Sequence, residues 1–241
     1  MRRPPLFSCA EAALLSLAAS GCAKEASPGP PPEVVSRVEG EPVERTEIET
    51  LAAYLAISWP NYALDPLRSA ALATSLMPRA LVFARNRERV SALREKIERA
   101  KARLEAGEPF ETVAKEVSDT DAEKGGDAGW TSRTDLDPLL GLEAFSAPLG
   151  EVRGPIRTKF GFHLIRVLER REAPNPRFST VHLQGIVALL DPSPKSPKEL
   201  ARALEGAAIE ILDAPFYERI RPVGVGVRFA PASRPAGGAG S

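Results

Sequence analysis

The chain has 241 residues, 43% hydrophobic and 27% charged, enough apolar material to bury a core in one or two domains. This profile excludes collagen-like, fully disordered and multi-span membrane chains. Lys plus Arg and Asp plus Glu each number 32, so net charge is zero, no global field favours nucleic acid, and no nucleic-acid partner is expected.

Residues 1–22 have the layout of a signal peptide. "MRRPPLF" is a positive start, "AALLSLAAS" an apolar run too short to span a bilayer, and "AASGC" a small-residue junction. That junction resembles the lipobox of bacterial lipoproteins, with Ala19 where Leu is usual and Glu11 inside the segment; the plainer reading is an ordinary signal peptide. The resemblance implies that Cys22 becomes the lipidated first residue of an exported chain, anchored to a membrane on the periplasmic face of a bacterial envelope. Cys9, the only other cysteine, leaves with the signal, so no disulfide is expected. Residues 23–33, with "SPGPPPE", read as a flexible tether, and residues 230–241, "APASRPAGGAGS", as a disordered tail.

Residues 34–84 form a mostly helical segment: a short strand and turn, a helix through "IETLAAYLAI" that stops near Trp59–Pro60, and a helical or mixed stretch from Pro66 to Ala84. In residues 85–172, Val90, Leu93, Ile97, Ala100 and Leu104 recur at three- and four-residue spacing, which predicts a long amphipathic helix ending at Gly107. Pro109 opens a second helix with the stripe Phe110, Val113, Ala114 and Val117. "DTDAEKGGDAGW" reads as a loop and residues 160–168 as a strand. Residues 173–229 are expected to be a C-terminal extension, with a strand in 177–190, a helix over 195–212 and a short strand over 223–229. The order of elements implies an α+β fold.

Two histidines and one lasting cysteine cannot supply the usual metal ligands, and no phosphate-binding or nucleophile-elbow motif occurs, so neither metal nor cofactor is expected. Four segments stand out in order: "LEAGEPFETVAKEVSD", "GGDAGW", "EAFSAPLGEVRGPIRT" and "FGFHLIRV". Over about residues 88–170 this series resembles the parvulin family of peptidyl-prolyl cis-trans isomerases, especially exported bacterial foldases. The resemblance implies a small antiparallel sheet wrapped by helices, with a shallow cleft. It places His163 of the final strand in a polar cluster at the cleft floor, with Thr158 just before that strand. The proline pocket falls on Leu136 and Leu140, with Phe145 behind them and Ala128 and Trp130 beside them. Asp127 is expected to support its glycine turn.

Departures from the family pattern are equally specific. The family's first histidine, on its opening strand, aligns with Ala80 of "PRALVFA", a stretch that can also be read as helix. The family's Cys or Asp aligns with Thr120, flanked by Asp119 and Asp121, either of which could stand in. Ala128 replaces the leucine after Gly-Gly-Asp. His182, in the strand-like "STVHLQGIV", offers a substitute: returning antiparallel beside the strand of His163, that segment would bring His182 into the polar cluster; the plainer reading is an edge strand with an exposed histidine.

The expected activity is isomerisation of X-Pro bonds in unfolded or folding envelope proteins by non-covalent twisting. The alternative is a chaperone-like holdase that keeps the cleft but only binds extended client segments.

Overall fold

The structure, a computed structural model, describes residues 33–190, 197–220 and 230–231. Cys22, the tether up to residue 32, the strand expected over 223–229 and the tail after residue 231 lie outside the described residues.

Val34–Val38 (β1) and Glu41–Glu44 (β2) form a hairpin. Its two turn residues, Glu39 and Gly40, both have positive φ, 49° and 87°, the backbone twist that closes strands tightly. Arg45–Ser58 (α1) ends just before Trp59–Pro60, and Leu64–Ala71 (α2) runs through one π turn, Leu72–Leu76, into Met77–Arg85 (α3). Pro78 accounts for the irregular turn, because it has no N–H to give the carbonyl of Thr74 four residues earlier. "PRALVFA" is therefore helix and not an opening strand, and Ala80 is fully buried in the core that α1–α3 share.

Arg87–Glu105 (α4) and Phe110–Val117 (α5) direct their predicted stripes into one second core. Asp127–Ser132 (β3), Val152–Thr158 (β4), Gly161–Arg171 (β5) and Thr180–Leu189 (β6) form an antiparallel sheet in the order β3-β6-β5-β4. Ile186 and Ala188 of β6 enter the core under α4 and α5, while Val181 and Leu183 enter a third core under Pro138–Ser146 (α6). The sheet is thus covered on both faces, and alternation along β6 decides which side chain meets which cover.

Three expectations about the C-terminal part need correction. The strand assigned to an extension beyond residue 172 lies in the middle of this four-stranded sheet, between β3 and β5. The helix expected over 195–212 is Pro197–Glu205 (α7) only; Gly206 follows it, and Ile209–Ile211 (β7), an alternating β-branched triplet, pairs antiparallel with β1. Ala214–Arg219 (α8) comes next, and Ala230–Pro231 (β8), assigned to the tail, pairs parallel with β7. Leu204, Ile209, Phe216 and Tyr217 fill the same core as Val35, Ile48 and Leu72. The N-terminal helices are therefore completed by the C-terminal residues and do not form a segment of their own.

Candidate active site

β4 turns into β5 through Lys159–Phe160, with Thr158 paired to Gly161. Gly161 has φ 132°, and a Cβ there would lie 2.2 Å from the carbonyl oxygen of Ala188, so the close approach of β5 to β6 requires glycine. The turn places Thr158, fully buried, against His163, 8% exposed. Thr158 Oγ1 and His163 Nε2 share a hydrogen bond of 2.8 Å, and the same hydroxyl oxygen accepts the N–H of Phe160 at 3.1 Å. Burial pushes the His163 imidazole down to about 4, so the ring is uncharged at neutral pH.

His163 faces Ile156 on β4 and Val187 on β6. Directly opposed residues point to one side of a sheet, and so do residues two apart along a strand. His163 therefore shares a face with Ile165 and Val167, which pack with Leu183, Leu136, Leu140 and Phe145. Leu136, Leu140 and Phe145 are half-buried, which leaves part of each accessible beside a buried polar pair. Phe145 also carries the Arg133 guanidinium 3.9 Å above its ring.

The loop before Gly-Gly-Asp runs along β6 where β3 has ended. Val187 N donates to Ser118 Oγ at 3.0 Å, and Asp119 N donates to the Val187 carbonyl at 2.9 Å. Asp119 Oδ2 accepts the N–H of Leu189 at 2.8 Å, while Oδ1 lies 2.6 Å from Lys96 Nζ. Both carboxylate oxygens are thus engaged, Oδ2 on β6 and Oδ1 on α4. Asp119 and exposed Thr120 hydrogen-bond to Lys96, Ser118, Val187 and Leu189, and none of these bonds reaches Thr158 or His163.

His182 does not join that pair. The position opposite His163 is Val187, and from 187 to 182 is five residues, roughly 16 Å at about 3.3 Å each. The odd offset also puts His182 on the other face. There His182 Nε2 is 2.8 Å from Asp127 Oδ1, and this hydrogen bond, with one from Gly129 N, holds the Asp127 carboxyl below its usual range. Trp130 stacks on His182 with centroids 5.4 Å apart, under the Arg171 guanidinium, so it lies on the face away from the pocket and cannot line it. Ala128 is exposed at the β3 bulge.

A cleft of about 580 Å³ opens along the outer edge of β4 beside Arg79, Lys101 and Glu143 and not at Leu136 and Leu140. Asp137, a residue the sequence motifs do not single out although an acidic residue before Pro138 is a helix-start signal, accepts the N–H of Leu139 on Oδ1 at 3.0 Å and caps α6. Among the described residues, no group of three or more His, Cys, Asp or Glu is placed to hold a metal ion, and no helix is long and apolar enough to cross a membrane.

The family model of the PPIC-type PPIase domain (rotamase) matches residues 77–169. The chain carries a parvulin-type domain. Over 118 residues the chain is 30% identical to foldase protein PrsA of Bacillus subtilis (strain 168), covering 48% of this chain and 40% of that protein. It is 41% identical over 95 residues to chaperone SurA of Yersinia pestis bv. Antiqua (strain Antiqua), 39% of this chain and 22% of that one. It is 40% identical over 79 residues to chaperone SurA of Methylobacillus flagellatus, 32% and 18% of the two chains. The chain thus spans less than half the length of each of these relatives. No solved structure matches at a significant level. The matched span of the parvulin-type domain ends in β5, so its sheet is closed by a central strand, β6, from beyond that span.

Proposed function

We propose that the protein is a peptidyl-prolyl cis-trans isomerase that assists the folding of exported polypeptides, acting at the face formed by Thr158, His163, Leu136 and Leu140. The observation that carries this reading is the buried 2.8 Å Thr158–His163 pair on the sheet face that also bears the two half-buried leucines. Rotation about an X-Pro bond must cross a barrier of about 18–20 kcal/mol held up by amide resonance. No bond is broken, so a catalyst needs an apolar seat for the pyrrolidine ring and a preorganised polar environment for the twisted amide. Leu136 and Leu140 offer the seat. An uncharged imidazole tied to a hydroxyl offers fixed dipoles at its edge, and no cofactor enters such a step.

Unfolded, proline-containing chains are the proposed partners, and lipidation of Cys22 the proposed means of holding the protein at the envelope membrane. Cys22→Ser should move the protein from the membrane fraction to the soluble one; an unacylated Cys22 in the wild-type mass spectrum contradicts the anchor.

A holdase is the second reading, favoured by Val187 opposite His163 and by the full engagement of Asp119. Exchange NMR on a panel of X-Pro peptides separates the two. Accelerated cis-trans exchange supports the isomerase, and peptide binding without acceleration supports the holdase.

A further inference from the structure

We propose that Lys159 is a positioning residue that ties the π turn between α2 and α3 to the helix bearing the proline pocket. The proposal rests on the isomerase reading only for where its effect on peptides is felt. Lys159 Nζ donates to the Thr74 carbonyl at 3.2 Å, the carbonyl to which Pro78 can bring no N–H. The same Nζ lies 3.4 Å from Asp137 Oδ2.

Asp137 is a demanding neighbour. Its side chain is only 5% exposed, Oδ1 is used to cap α6, and Oδ2 has no hydrogen bond. A carboxylate so withdrawn from water requires a counter-charge, and Lys159 supplies it. α6 begins directly after Leu136 and Asp137 and carries Leu140, so the cap fixes where both pocket leucines stand. Lys159 is also joined by one peptide bond to Thr158, whose hydroxyl holds His163. One ammonium, with three donors on a compact charge, therefore links the π turn after α2, the start of α6 and the turn that sets the buried polar pair.

Removing it should loosen the seat for the proline ring without touching the polar pair. In the full-length protein, Lys159→Met should raise KM for an Ala-Pro tetrapeptide about five- to tenfold with kcat within about twofold. Amide hydrogen exchange should speed up in both 72–82 and 138–146. Adding Asp137→Asn, which keeps a capping side chain but removes the stranded charge, should return KM to within about threefold of wild type. Unchanged KM and unchanged exchange in both segments would overturn the proposal. So would a fall in kcat alone, which would mean that Lys159 acts on the substrate. If the wild type binds the peptide without isomerising it, the isomerase reading fails while the peptide Kd and the exchange rates still decide the role of Lys159. If Lys159→Met does not fold, Lys159→Gln, with one amide to share between two partners, is read in the same way.

Discussion

Val187 of β6 stands directly opposite His163 of β5. The imidazole thus has an aliphatic neighbour across the strand gap and a hydroxyl as its hydrogen-bond partner, with burial as the cause of its lowered affinity for protons. In the unfolded chain a histidine titrates near 6.5; in the fold it titrates at about 4.

Above pH 6.5 the ring is neutral in both states and contributes no pH dependence. As pH falls below 6.5 the unfolded chain takes up the proton first, so stability is lost between pH 6.5 and 4, at about 1.4 kcal/mol per pH unit. Urea unfolding at pH 7 and pH 5 should show wild type losing roughly 2 kcal/mol more than His163→Gln. Parallel losses in the two proteins would place the ring in water.

The histidine on the other face should be dispensable for catalysis. His182→Ala removes the partner of Asp127 and the stacking partner of Trp130, and is expected to leave kcat/KM for X-Pro peptides within about twofold while costing about 1 kcal/mol of stability. A fall of tenfold or more would show that the two imidazoles cooperate.

Gly141 is the point at which α6 meets α1. A Cβ there would sit 2.2 Å from the hydroxyl oxygen of Tyr54, which is nearly buried. Gly141→Ala should therefore destabilise the protein by about 1–3 kcal/mol through overpacking, and pairing it with Tyr54→Leu should cost less than the sum of the single changes. Additive losses in thermal or urea unfolding would mean that the contact is looser than the geometry states.

Several of these relationships were legible in the chain. The stripe from Val90 to Leu104 repeats over a long helix, so its burial could be read directly, and "TKFGFH" places a hydroxyl and an imidazole around one tight turn. β3 and β4 were hidden because they are irregular: Ala128 and Gly154–Pro155 interrupt their pairing. β6 was legible as a strand and as the antiparallel neighbour of β5, but its register was not. Alternation fixes only which residues share a face, and the register that opposes Val187 to His163 depends on close contacts such as Gly161 against Ala188. The same ambiguity placed Trp130 on the wrong side. The link from Lys159 to Thr74 joins residues 85 positions apart, which no local pattern announces.

The Thr158–His163 pair is the centre of the proposed site, and its most direct test is cis-trans exchange of an Ala-Pro peptide, by NMR, for wild type and Thr158→Val at matched saturation. Removing the hydroxyl keeps the β-branched shape and the leucine seat but leaves His163 Nε2 without its 2.8 Å partner. The expected result is a measurable wild-type acceleration that falls at least about tenfold in Thr158→Val, with peptide affinity changed less than about twofold. Equal acceleration by the two proteins, or peptide binding by wild type with no acceleration, would contradict the assignment of this pair as the centre of an isomerase site.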